Sequence, residues 1–252
     1  MKKSTGPVLL IGDPETHPDI RYATGFSGPG TVVLLRKGGK QWMVVPEFEF
    51  QRACRLWERR KVAMGWRTAC EVMTVENVSP RGKKLTRMSE CAAGLLWKTG
   101  TRSAIVPGWF PHGIAVGLAK KGINVTVASE AVFPERAIKT PMEIRCIREA
   151  QQAAVIAMRS AIALIRESGI DSGGCLRHRG RRVTSEEVRD LIARVLLEHG
   201  CMCIETIVAG GRQAADPHER GQGPLHAGET IVIDIFPKHL EHGYCGDLTR
   251  TV

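Results

Sequence analysis

Asp234 and Asp247 stand thirteen positions apart in the segment ETIVIDIFPKHLEHGYCGDLTRTV, near the last residue, Val252. Thr230 to Phe236 is a β-branched run, and an aspartate buried in such a run is costly without a partner. After Asp234 the chain turns through Pro237-Lys-His-Leu-Glu-His-Gly243 and returns as Tyr244-Cys-Gly-Asp-Leu-Thr-Arg-Thr. This reads as a hairpin, and across an antiparallel pair both carboxylates can leave the same face. Two converging hard oxygen donors suit a divalent cation. Spacing alone leaves two other readings open: an aspartate that caps a turn, or one that pairs with Arg250.

The elements that must position these residues are legible upstream. Thr140-Pro141-Met-Glu143 is a helix start, with an N-cap threonine, proline in the first turn and glutamate three residues on. Ile144, Ile147, Val155, Met158, Ile162 and Ile165 recur at helical spacing until Ser168-Gly169. A glycine- and arginine-rich loop from Asp171 to Arg182 follows. Thr184-Ser-Glu-Glu187 is a second capping box, and Val188, Leu191, Ile192, Val195 and Leu196 form the stripe of a helix closed by Gly200. Strand-like runs then cover 205–209, 230–236 and 245–252. The first half alternates strands (7–12, 31–35, 41–45, 103–106, 123–128) with helical stretches (47–60, 88–99), which argues for an α/β domain. The break falls near Ala137-Ile-Lys-Thr140. The expected organisation is an α/β domain over 1–138 and a second, α+β domain over 139–252.

The chain of 252 residues is 43% hydrophobic, enough for a sizeable core. No apolar run approaches the roughly 20 residues that span a bilayer, and the run VLLI before Gly12 is too short for a signal peptide. The reading is a cytoplasmic protein with no membrane partner. Eight cysteines are scattered without a CxxC pair, as in a reduced compartment. Cys201-Met-Cys203 puts two thiols on one strand face, but a zinc site needs two more ligands. The net charge is +10, densest at Arg177–Arg182 and Glu58–Lys61, and aromatics are 5% of the chain. Neither patch has interleaved aromatics, so no stacking platform for nucleic acid is expected.

The stretch IVAGGRQAADPHERGQGPLHAGETIVIDIF from Ile207 to Phe236, followed by Gly243-Tyr244 and Asp247-Leu-Thr-Arg-Thr251, resembles the M24 metallopeptidases. These are the Xaa-Pro aminopeptidases, prolidases, creatinase and methionine aminopeptidases, with the pita-bread fold. Lys139-Thr-Pro-Met-Glu-Ile-Arg-Cys-Ile-Arg148 is similar to that family's opening helix. Asp19-Ile-Arg-Tyr-Ala-Thr-Gly-Phe26 resembles the N-terminal domain of the aminopeptidase, prolidase and creatinase branch. The resemblance implies a creatinase-like N-terminal α/β domain followed by the first half of a pita-bread domain. It implies Asp234 as a terminal metal ligand and Asp247 as a bridging one, with His218 hydrogen-bonding the substrate near the scissile bond. The implied chemistry is hydrolysis of the peptide bond before proline, in a peptide or dipeptide with proline second. It would use two divalent ions (manganese, cobalt or zinc) about 3.5–4 Å apart. It also implies a homodimer as an option.

Two departures qualify that reading. The aspartate spacing is longer than the family's usual one by two, which the segment Phe236–His242 takes up as a longer hairpin loop or a bulge. The remaining ligands of the family, a histidine and two glutamates, and its further catalytic histidine belong to a second half with no counterpart here. No HExxH replaces them: His218-Glu-Arg-Gly-Gln222 ends in glutamine, and His239-x-x-His242 lies in the hairpin loop, where exposure is the plain expectation. The expectation is a truncated chain with an incomplete site, inactive alone, whose sheet has an open edge. The alternatives are a non-catalytic binding protein on the same fold, a creatinase-type amidinohydrolase, and a basic nucleic-acid-binding protein.

Overall fold

The computed structural model describes residues 6–64, 69–80 and 85–252. The N-terminal Lys2 and Lys3, and the Arg60 and Lys61 side chains of the Glu58–Lys61 patch, lie outside this description. The chain divides into two compact units, Met1–Ile138 and Lys139–Val252.

In the first unit the elements are β1 (Val8–Gly12), α1 (Pro18–Thr24), β2 (Val32–Lys37), β3 (Lys40–Val45), α2 (Phe50–Met64) and β4 (Ala69–Thr74). They continue with α3 (Val75–Val78), α4 (Met88–Lys98), β5 (Ser103–Val106), α5 (His112–Ala119) and β6 (Asn124–Val127). One mixed sheet runs β4-β3-β2-β1-β5-β6, with β1, β2 and β3 antiparallel and the outer pairings parallel. The run VLLI is apolar throughout because both faces of β1 are covered. Leu9 and Ile11 pack with Leu95 and Leu96 of α4, while Val8 and Leu10 pack with Ile20 of α1 and Ala53 of α2. The helix expected over 47–60 begins as a 3-10 turn at Glu47–Glu49 before α2.

In the second unit, α6 (Pro141–Arg166) leads into β7 (Gly169–Ile170), β8 (Leu176–His178), β9 (Arg181–Arg182) and α7 (Ser185–Glu198). Then come β10 (Cys201–Met202), β11 (Ile207–Gly210), β12 (Ile231–Ile235), β13 (Lys238–His239) and β14 (Leu248–Thr251). The sheets run β7-β8-β9, β10-β13 and β11-β12-β14. Asp171–Arg182, expected as a loop, starts as a turn and then forms the β8-β9 hairpin, with Arg182 paired to Asp171 at 3.0 Å.

The α6 start is as read: Glu143 N–H donates to Thr140 Oγ1 at 3.3 Å, and Thr140 N–H to Glu143 Oε2 at 2.7 Å. At α7, Thr184 accepts from Glu187 N–H at 3.2 Å, while Glu186 turns to Gly223 N–H. The expected α6 stripe holds in part: Met158 is buried and Ile162 and Ile165 pack against the core, whereas Ile144 is exposed, and the other buried apolar positions are Ala150, Ala153, Ala154, Ala157 and Ala161. A Cβ on Gly246 would lie 2.8 Å from Ala150 O, so the hairpin rests on the α6 backbone at that point. The alanine stripe, Val188, Ile192 and Leu196 of α7, and Ile231, Ile233 and Ile235 of β12 share one core.

Candidate metal-binding hairpin

Strand alternation in β12 sends Ile231, Ile233 and Ile235 into that core and Asp234 to the other face. Asp234 stands opposite Thr249 of β14, and Ile235 opposite Leu248. The same register continues into the hairpin. Gly246 N–H donates to Pro237 O at 2.9 Å, Lys238 bridges Cys245, and His239 N–H donates to Tyr244 O at 2.9 Å. Gly243 N–H closes the turn on His239 O at 2.9 Å. The longer spacing is thus taken up as an added rung of regular ladder, with no bulge between Ile235 and Tyr244. Adding residues in pairs keeps parity, so Asp247 shares the face of Asp234, diagonally across the ribbon.

Both aspartates are held by neutral partners. The Thr249 hydroxyl donates to Asp234 Oδ1. The Asp247 main chain is gripped by Gln151 of α6: Asp247 N–H donates to Gln151 Oε1 at 2.9 Å, and Gln151 Nε2 donates to Asp247 O at 3.0 Å. Asp247 sits at a non-hydrogen-bonded rung, so its N–H and C=O point away from β12 and need such a partner. Arg250 donates to Thr249 O at 2.7 Å. Among the described residues neither aspartate is in an ion pair, so the Arg250 reading is not what the structure holds. Two carboxylates on one face, neither in an ion pair among the described residues, are side chains that could hold a cation.

His218 is exposed in the loop after the 3-10 turn Gly211–Ala215. Its N–H donates to Asp216 Oδ1 at 2.9 Å. Gln213 and Gln222 pair across the loop at 2.8 and 3.0 Å. Gly221 (φ +79°) passes so close to β11 that a Cβ would meet Val208 O at 1.8 Å. The structure gathers the aspartates on one ribbon. Among the described residues it joins His218 to them by no hydrogen bond or ion pair.

A second constellation differs from its expectation. His239 and His242 are half-buried, and their rings stack 3.8 Å apart at 10°. With Glu149 of α6 they place three ligand atoms within 4.8 Å of one another. His242 Nε2 is 3.4 Å from Glu149 Oε2. Burial, and next the neighbouring His239, hold the His242 imidazole below its ordinary pKa, against the pull of Glu149. The hairpin's contact with α6 buries these rings, and no local pattern announces that contact.

Residues 145–252 match the model of metallopeptidase family M24. The M24 segment covers the hairpin, both aspartates, His218 and the Glu149 cluster. Solved structures give the fold of the whole chain. Prolidase from Pyrococcus horikoshii OT3 is 22% identical, with a TM-score of 0.68 over 99% of this chain and 60% of its own. Prolidase from Pyrococcus furiosus is 21% identical, with a TM-score of 0.71 over 99% and 66%. X-Pro aminopeptidase from Thermotoga maritima MSB8 is 17% identical, with a TM-score of 0.72 over 98% and 62%. The mixed α/β architecture matches these pita-bread peptidases, and the chain spans about three fifths of their length. Comparison with curated protein sequences returned no significant match. Among the described residues no helix is long and apolar enough to cross a membrane.

Proposed function

We propose that this chain carries part of the divalent-metal site of an Xaa-Pro peptidase-like metallopeptidase, aminopeptidase or prolidase. The observation that carries this reading is the shared face of Asp234 and Asp247, where among the described residues neither carboxylate is in an ion pair. Asp234 serves as a terminal ligand and Asp247 as a bridging one. Thr249 occupies Asp234 Oδ1 and leaves Oδ2 for the ion. Gln151 fixes the Asp247 main chain while its carboxylate stays free. Manganese, cobalt or zinc, when bound as a pair, supplies an activated water and polarises the scissile carbonyl. His218, on its tethered loop, hydrogen-bonds a peptide or dipeptide substrate with proline second. Two carboxylates alone hold a divalent ion weakly, so turnover by this chain by itself is expected to be poor.

The test is calorimetric titration of manganese into the chelator-treated full chain and into D234N and D247N, beside an Xaa-Pro dipeptide assay. Loss of the manganese signal in both variants supports the reading. Binding unchanged by both substitutions overturns it. Family-like turnover that survives both substitutions would also overturn the assigned roles.

A further inference from the structure

The hairpin loop carries a second group of ligand-type side chains, separate from the aspartate pair. The relevant groups are His239, His242 and Glu149. Alternation along the strand puts His239 on the parity of Ile235, the face turned toward α6 and away from Asp234. Two groups of donors therefore occupy opposite faces of one ribbon.

We infer that His239, His242 and Glu149 form a second site, for a borderline divalent ion of the zinc, cobalt or nickel kind, that clamps the hairpin loop to α6. Three observations carry it. The first is the donor set, two imidazoles and one carboxylate, with all ligand atoms within 4.8 Å of one another. Such a set suits these ions rather than magnesium or calcium. The second is a separation. His242 Nε2 and Glu149 Oε2 are 3.4 Å apart, long for a charge-assisted hydrogen bond. It matches the roughly 3.3–3.5 Å between ligand atoms around a tetrahedral ion with bonds of about 2.0–2.2 Å. The third is that His242 Nε2 is buried and, its 3.4 Å approach to Glu149 Oε2 apart, has no hydrogen-bond partner among the described residues, whereas buried polar atoms are normally satisfied. A recess of about 310 Å³, lined by Glu149, His239 and His199 among others, opens beside the cluster. It leaves room for water or His199 as the fourth ligand.

The loop has to adjust when the ion binds. Glu241 N–H donates to His239 Nδ1 at 3.2 Å, and Tyr244 N–H to His242 Nδ1 at 3.1 Å. Each neutral ring therefore carries its proton on Nε2 without the ion. Coordination through Nε2 moves that proton, by way of water, to Nδ1, so the neutral ring releases no net proton. An Nδ1–H cannot face a donor, so both loop amides turn toward water. The site is thus read out by its own loop, independently of peptidase activity.

The experiment uses the 252-residue chain carrying D234N and D247N, stripped with chelator, so that the other face does not contribute. Zinc alone is titrated by calorimetry, cobalt alone by absorption, and amide exchange is followed with and without zinc. One zinc event is expected. It should weaken by more than the roughly 10–100-fold that loss of an outer-shell partner costs in H239Q/H242Q, and also in E149Q, whose site on α6 is half-exposed and tolerates the change. Faster exchange at Glu241 and Tyr244 on adding zinc is the matching signature. The inference is overturned by zinc binding that both variants leave unchanged, by unaltered loop exchange at saturating zinc, or by a thiolate-to-cobalt charge-transfer band assigning the ion to the nearby cysteines.

Discussion

Thr249 stands directly across the β-ribbon from Asp234 and donates its hydroxyl proton to Oδ1. The sequence shows both residues, but only the register makes them partners. An outer-shell hydrogen bond of this kind orients a ligand and tunes its basicity. Replacing Thr249 by valine keeps the shape and β propensity and removes the donor. Manganese affinity is expected to fall about tenfold, with the thermal transition little changed. Thr251, opposite Val232 on the same strand, is the control: T251V should leave affinity as it was. Calorimetric titration of both variants checks this, and equal affinities would refute an orienting role for Thr249.

Gly246 is where the hairpin meets α6. Its missing Cβ avoids Ala150 O by only 2.8 Å, and the next residue carries the Gln151 pair that holds Asp247. G246A forces the two backbones apart. Overpacking of this kind costs about 1–3 kcal/mol, at about 2–4 °C of Tm per kcal/mol in a chain of this size. Manganese binding should weaken as well, because the Asp247 main chain loses its grip. G113A, in α5 where a Cβ meets nothing within 4 Å, should instead be neutral or slightly stabilising. Thermal melts of the two variants test the contrast.

What could be read beforehand follows from how local the signal is. Continuous apolar runs such as VLLI, and the Thr140 cap, mark elements that any context would form. β4 was missed because Ala69-Cys-Glu-Val-Met-Thr is an edge strand with exposed Ala69 and Glu71, so its apolar pattern is diluted. α5 was missed because His-Gly-Ile-Ala-Val-Gly-Leu-Ala contains two glycines, which lower helix propensity. At the site, the common face of Asp234 and Asp247 follows from parity alone. Gln151 and Glu149 could not be named, since their role is created when α6 meets the hairpin. The α6 stripe was legible only in part: Met158, Ile162 and Ile165 meet the core, but the alanines beside them are buried by packing against α7 and β12, which no local pattern announces.

Thiol reactivity should follow burial. Burial first, then Cys54 and Glu71, push the Cys70 thiol up to about 12, and burial pushes Cys91 up to about 11. Cys245 is exposed. Thiolate, not thiol, is the nucleophile. Alkylation with iodoacetamide at mildly alkaline pH, mapped by mass spectrometry, should therefore label Cys245 first and leave Cys70 and Cys91 unmodified until denaturant is added. Labelling of Cys91 at the Cys245 rate in the native protein would contradict the buried core around α4.

Glu143 ties the start of α6 to the hairpin, because the Tyr244 hydroxyl donates to Glu143 Oε1 at 2.9 Å while Thr140 holds the other oxygen. Burial alone would raise this carboxyl. The donors outweigh it, with the Thr140 backbone and side chain ahead of Tyr244, and hold it below its ordinary value of 4.5. A group depressed in the folded state stabilises fully above its unfolded value and loses that contribution as pH falls through the folded one. Y244F removes one donor, so the folded value moves back toward 4.5. The wild type should melt higher than Y244F at neutral pH, and the gap should narrow steadily once pH drops below 4.5. Melting curves across that range decide it: a gap that stays constant into acid would mean that the tyrosine acts through packing, not through the carboxylate.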